Sequence, residues 1–417
     1  MRRAIPLLLT LASACVTVAL LEHATAEPPD PGPVKRGVIR AGPPAGPAAP
    51  DGGGARDDTA ALQALIGEAV RSGRRLDLPP GVFTVSRTLK VERASGLVIT
   101  GAGSANGRGG TVFRWAGNAT DPMFDVVNCN RCTFEDFTIN CSPAKPLAVG
   151  IRSRNQAGVS ITPLENRYHR VNMDGTTNGL GVGWEMARGP GDSDANNDFS
   201  VWDGCTVSNY ANTAWSLEHS QCLGNTFRDC LFRANSGGGR YGVDCSRGGG
   251  FHWYGGGGGG NTAADFRVGT WADAFVIDGF NGEDSARLLE LPGPTGAFSP
   301  VKLCNIRWAH AGMVARDGAF VRFNGTGPLT LENVRVEDKD GSVPLVIEMA
   351  PGGPAYGQLL LQGLYVETSA PRAGFLRVRG TGHLQTSVLG VVLYDKSRDR
   401  YEVLGDPPPV QPRRAGR

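Results

Sequence analysis

The sequence predicts an all-β solenoid, a coil of short parallel strands preceded by one helix, and three observations carry that prediction. Apolar three-residue pieces recur at offsets of 34, 34, 25, 76, 28, 30 and 27 residues, too irregular for propeller blades and too strand-like for helical hairpins. Beyond Gly73 no second helical pattern is found. Glycine supplies 60 of 417 residues, about twice ordinary usage, as the tight turns between short strands require.

Taken in order, residues 1–26 hold two arginines, an apolar run from Ala4 to Leu21 and Ala24-Thr25-Ala26. That is the order of a secretory signal peptide, so export to the cell exterior or periplasm after cleavage near Ala26 is expected; a retained membrane anchor is the alternative. Residues 27–54 read as a leader too rich in proline and glycine to form a packed element. Asp57-Asp58-Thr59 opens a helix with its cap, Leu62, Leu65, Ile66, Ala69 and Val70 recur at helical spacing, and Gly73 ends it. The solenoid is expected over 55–405, and "DPPPVQPRRAGR" closes the chain as a disordered tail over 406–417.

Two strand series share the coil period. The first runs through "FTI" (137–139), "VNM" (171–173), "CTV" (205–207), "CLF" (230–232), "IRW" (306–308), "VRV" (334–336), "LYV" (364–366) and "VVL" (391–393); its step of 76 residues hides two or three turns. The second, "GIRS", "GWEM", "SLEH", "GVDC", "FRVG", "LLEL", "FVRF", "VIEM" and "FLRV", places a charge between apolar neighbours.

Removing residues 1–26 leaves 40 basic and 39 acidic residues, a balance that offers no electrostatic case for nucleic acid or an anionic membrane. No later segment is a long uncharged apolar run, so no membrane span is expected in the mature chain. Cys129, Cys132 and Cys141 lie close together; a disulfide, buried free thiols and a zinc knuckle are all compatible with the spacing, but nothing nearby completes a zinc set.

Residues 57–91, "DDTAALQALIGEAVRSGRRLDLPPGVFTVSRTLKV", followed by "GLVITGAGSANGRGGTVFRW", resemble the start of the pectate lyase superfamily. The resemblance implies a right-handed parallel β-helix with an N-terminal capping α-helix, in a superfamily of polygalacturonase-like hydrolases, uronate epimerases and tail-spike depolymerases. It covers about 60 residues well and specifies fold better than reaction. The Asn-Thr-Asp, Gly-His-Gly and Arg-Ile-Lys signatures of polygalacturonases do not occur, and the sole Asp-Asp belongs to the helix start. "YGVDCSR" (241–247) begins like the Tyr-Gly-x-Asp-Pro-His motif of alginate epimerases, then has Cys245 and Ser246 in place of Pro and His.

Strand alternation points to a site without any family. It places Arg152, Glu185, Glu218, Asp244, Arg267, Glu290, Arg322, Glu348 and Arg377 in one outward column. From Arg267 onward the signs alternate, as in a self-neutralising surface ladder. Glu185, Glu218 and Asp244 break that rule, and carboxylates on consecutive coils either raise one pKa or hold a cation. Glu218 and Asp244 are therefore the expected acid and base or nucleophile pair, with Glu185 assisting. The structural alternative is that Arg152 and Arg267 simply neutralise them. No motif demands a cofactor; calcium held by these carboxylates beside a uronate, with Arg247 or His219 taking a sugar proton, is a lyase alternative. Trp253 and Tyr254, beside the run Gly255–Gly260, are expected to face a sugar ring, whereas His219 points into the core if the alternation holds. The expected function is cleavage or modification of a polysaccharide by a hydrolase or lyase. A non-catalytic carbohydrate-binding or surface-structural solenoid is the alternative.

Overall fold

The computed structural model describes residues 37–40 and 53–404, apart from 105–108, 157–163, 188–196, 220, 236–237, 248, 270–271, 293–299, 313–318, 326–327, 340–344, 350–355, 369–375, 379–382 and 396–399. The chain is a right-handed parallel β-helix. Each coil contributes strands to three ladders. The first ladder includes Arg167–His169, Val201–Asp203, Asn225–Arg228 and Gly249–Tyr254, and the second Asn172–Asp174, Thr206–Ser208, Leu231–Arg233 and Gly257–Gly259. The third is an 11-stranded sheet running from Leu89–Glu92 to Leu376–Val378. Among the described residues all strand pairings between coils are parallel, and Arg400–Leu404 folds back antiparallel onto Val391–Asp395.

Alternation sends every second side chain inward, and identical positions then stack on successive coils. Phe134, Tyr168, Trp202, Phe227 and Trp253 share one register of the first ladder. Their neighbouring rings stack at 5.5, 5.3, 4.6 and 5.2 Å. Trp184 and Trp215 stack at 5.3 Å behind the third ladder. Trp202, Trp215, Trp253 and Trp308 are all fully buried.

A single left-handed residue separates the first ladder from the second in coil after coil. Asp136, Arg170, Gly204, Asp229, Gly279, Asn305, Asn333, Gly363 and Gly390 hold this corner, with φ between 47° and 73°. One such residue turns the chain sharply without a loop. The larger connections fall elsewhere, mainly after third-ladder strands.

The single helix among the described residues, α1 (Thr59–Ser72), buries Leu62, Ile66 and Ala69 in the core and ends at left-handed Gly73 (φ 63°). Its start differs from the expectation, because Asp58 makes no side-chain cap. Asp58 instead accepts the Thr84 N–H at 3.1 Å, and Asp57 accepts the Thr59 N–H at 3.0 Å, so both acids serve to tie the helix to the adjacent strand. The 27–54 leader also differs: Val38–Arg40 pairs with Arg75–Asp77, and Gly53 opens a strand paired with Gly81–Val85. Backbone pairing needs no apolar side chain, so composition did not reveal it.

The 76-residue gap holds two further strands of the second ladder, Gly257–Gly259 and Asn281–Glu283. Phe232 registers with Gly258, Gly258 with Gly282, and Gly282 with Trp308. The glycine run is thus only partly a turn, since Gly255 and Gly256 round the corner at φ 70° and 65° whereas Gly257–Gly259 is a strand. A Cβ on Gly258 would overlap the Phe232 ring, and one on Gly282 the Trp308 ring. Large side chains on neighbouring coils fill the space that these glycines vacate.

Candidate functional site

The outward column of the third ladder is continuous. Its registers link Lys90 to Asp125, Asp125 to Arg152, Arg152 to Glu185, Glu185 to Ser216, Ser216 to Asp244 and Asp244 to Arg267. Glu290, Arg322, Glu348 and Arg377 continue it. Sign alternates along its whole length except at Ser216, which leaves Glu185 and Asp244 as the flanking anions.

Ser216, not Glu218, occupies the expected third acidic place, so three carboxylates do not stack on consecutive coils. The pairing slips between Leu180 and Val182, where Leu180 faces Tyr210 but Val182 faces Thr213. Trp215 thereby lies against Trp184, and the stacked indoles fix the register. Alternation alone permits either Ser216 or Glu218 to face outward opposite Glu185. Glu218 follows the strand end and turns back, accepting the Ser216 hydroxyl hydrogen at 3.1 Å.

The cluster is therefore Glu185, Ser216, Glu218 and Asp244, flanked by two arginines. Arg152 bonds Glu185 directly through Nε. Arg267 lies 3.3 Å from Asp244, which also accepts the Ser246 N–H at 3.0 Å. Burial pushes the Glu185 carboxyl above its ordinary range; Arg152 opposes the rise, and the negative charges of Glu218 and Asp125 add to it. The carboxylate repulsion expected from the sequence is thus felt at Glu185, although Glu218 acts from beside the ladder.

The remaining candidates separate. Arg152 and Arg267 belong to the cluster as partners of its acids. His219 is buried, and its Nδ1 accepts the Gln221 N–H at 2.9 Å, as its inward direction predicted; this bond makes it a turn-forming side chain and not a sugar ligand. Arg247 is exposed on the turn after Asp244. Trp253 is a correction: it is fully buried in the aromatic stack and donates its indole N–H to Gly255 O at 2.7 Å, so it faces no ligand. Tyr254 is 40% exposed, but it ends a first-ladder strand and so lies away from the acidic cluster.

Among the described residues, no three His, Cys, Asp or Glu side chains are grouped to hold a metal. Neither the acidic cluster nor Cys129, Cys132 and Cys141 forms such a group. All eight described cysteines are free and buried, which selects buried thiols from the three alternatives. No helix among the described residues is long and apolar enough to cross a membrane.

The sequence reading missed two residues. Ser216 is one, and only the tryptophan register reveals it. Phe199 is the other: it holds a left-handed backbone (φ 56°) while 56% exposed, on the corner one coil beyond the Glu185 strand. The same corner is left-handed at Arg131, Glu165 and Gly224 on neighbouring coils, so the backbone belongs to the turn, and what is particular to Phe199 is its exposed ring near the cluster. An exposed Phe between Asp198 and Ser200 was the available signal.

With this geometry in place, known structures offer a comparison. The A-module of the mannuronan C-5 epimerase AlgE6 from Azotobacter vinelandii is similar at a TM-score of 0.55 and 15% identity, covering 82% of this chain and 96% of that one. The likeness is one of fold. The gp42 tailspike of an Acinetobacter phage gives a TM-score of 0.55 at 12% identity, over 88% of this chain and 64% of the tailspike. Endo-xylogalacturonan hydrolase from Aspergillus tubingensis gives 0.50 at 11% identity, over 85% and 100%. No protein-family model and no curated protein matches the chain.

Proposed function

We propose that the protein is a secreted carbohydrate-active β-helix that binds a polysaccharide along the outward face of the third ladder and hydrolyses it. In this reading Glu185 is the general acid, Asp244 the general base, and Glu218 assists. The supporting observation is the interruption of the charge ladder at Ser216, which leaves two carboxylates in different environments. Burial and Glu218 favour the protonated form of Glu185, as an acid catalyst needs. Asp244, by contrast, is held by Arg267 and by the Ser246 N–H. Their strands are two spacings apart, about 9.6 Å, which accords with inverting glycosidases, whose carboxyl groups lie about 6.5 to 9.5 Å apart to admit a water. Similar folds named as an epimerase and a xylogalacturonan hydrolase support a carbohydrate substrate.

A second reading, a non-catalytic glycan-binding solenoid, is favoured by the ion pairs that Glu185 makes with Arg152 and Asp244 with Arg267. Reducing-end release and formation of unsaturated ends, measured with residues 27–417 over a panel of neutral and uronic-acid polysaccharides, separate the two. Hydrolysis predicts new reducing ends without unsaturation, and Glu185→Gln should lower the rate by about 10²-fold or more. Unsaturated ends would establish a lyase instead. Binding without new ends on any glycan would leave the second reading standing. Secretion is checked by the N-terminus of the exported chain, expected at Glu27.

A further inference from the structure

The second ladder carries an open groove of about 320 Å³ on its outer face. Leu231, Arg233, Gly257, Gly258, Asn281 and Glu283 are among the residues that line it. The outward columns of this ladder run from Leu231 through Gly257 to Asn281, and from Arg233 through Gly259 to Glu283. At the glycine strand both columns lack a side chain, and the sheet presents bare backbone. A Cβ on Gly257 would lie 2.5 Å from Asn281 O, and one on Gly259 would overlap Glu283 O. The close approach of the next strand therefore keeps this trough free of side chains.

From this arrangement we infer that the groove is a second carbohydrate site that takes a neutral sugar unit. Its walls stand two strand spacings apart, about 9.6 Å at the backbone. Its volume falls at the low end of small-molecule clefts, which start at about 300 Å³. Arg233 and Glu283 hold registered positions on either side of Gly259 and carry opposite charges, and the next coil adds Arg307 together with its ion-pair partner Glu337, so the local charges balance. A polyanion meets Glu283 and a polycation meets Arg233, whereas the hydroxyls of a neutral sugar both accept from the guanidinium and donate to the carboxylate. Asn281, whose Oδ1 accepts from Arg307 at 3.2 Å, adds its amide N–H donors, and Thr206 and Ser208 add hydroxyls at the rim. Leu231, 48% exposed, offers an apolar surface to the C–H face of a pyranose ring.

The ligand class rests on the carbohydrate reading of the whole protein, while the location is independent of it. Calorimetric titration of residues 27–417 with cellohexaose, mannohexaose, maltohexaose and an oligogalacturonate tests the groove. A neutral hexaose is expected to bind, and Arg233→Ala combined with Glu283→Ala should weaken it at least tenfold at unchanged thermal stability. Leu231→Arg, which projects a long side chain over the trough, should act likewise, and Lys302→Ala, on the first ladder and outside both sites, should leave this binding unaltered. Binding lost on Glu185→Gln but not on the groove variants would overturn the groove and keep the third-ladder reading. Absence of binding by all three neutral hexaoses would overturn the groove whatever the enzymatic assays show.

Discussion

Asp265 shows how one residue imports polarity into an apolar lumen. It is fully buried and accepts hydrogen bonds from Asn261 Nδ2 at 3.0 Å, from Trp308 Nε1 at 3.0 Å and from the Ser285 hydroxyl. Tyr210 extends the network by donating to Asn261 Oδ1 at 2.6 Å. Burial outweighs the three donors and pushes the Asp265 carboxyl from 3.8 up to about 7. Because the folded-state value lies above the unfolded one, the folded chain keeps a proton that the unfolded chain releases between pH 3.8 and about 7. The associated stability is full at acid pH and is lost as pH rises through that window, by on the order of a few kcal/mol at most. Urea midpoints at pH 5 and pH 8 should differ less in Asp265→Asn than in the parent; an equal difference would refute the account. The thiols follow the same logic. Burial raises Cys141 to about 12 and Cys304 to about 11, and all eight thiols are closed off from solvent whatever their acidity, so Ellman's reagent should find no reactive thiol in native 27–417 and eight after unfolding. Fewer than eight would reveal a disulfide.

At the scale of elements, side-chain size decided what the sequence disclosed. The helix was legible because Leu62, Ile66 and Ala69 recur with its period and face the core. Strands ending in "IRW" and "VRV" were legible by their alternation. The strand Gly257–Gly259 was not, since alternation cannot be read from residues without side chains. Its partner was the hint: Phe232 demands a vacant place on the next coil. Gly258→Val should therefore force Phe232 off its rotamer and destabilise the protein by about 1 to 3 kcal/mol or more, measured by denaturant unfolding. A neutral result would show that the lumen has room to spare. The acidic site was legible to the same degree. Glu185 and Asp244 were placed on the right strand face, but Glu218 was put one register step from its true position. Apolar residues at Trp215 and Leu217 fit either frame, and only indole stacking distinguishes them.

For the molecule as a whole, the third ladder reads as a column of charges in which each residue is answered by the next. Arg322, for example, lies 3.7 Å from Glu290 and 3.9 Å from Glu348. Partly exposed pairs of this kind add little individually, but their order opposes a slip of one coil against another, because a slip separates each charge from its partners on both sides. Deletion of the Ser216 interruption by Ser216→Arg should restore full alternation. The proposed activity should then fall at least as far as in Glu185→Gln, while thermal stability holds or rises. Unchanged turnover would remove the interruption from the mechanism.

The left-handed corner between the first and second ladders has a consequence for how such a chain can change. Because one residue makes the turn, the strands on either side form a stiff elbow whose arms cannot lengthen separately. The chain goes straight through from Val301 to His310 and from Pro328 to Asp338, with only Asn305 and Asn333 marking the bend. Thirteen residues, by contrast, connect Ala187 to Val201, and seven connect Leu217 to Asn225. Innovation by insertion is therefore channelled to the rim beside the third ladder, next to the acidic cluster. The elbow acts as the fixed gauge of the coil, and the opposite corner is where new specificity can be added without disturbing the stack.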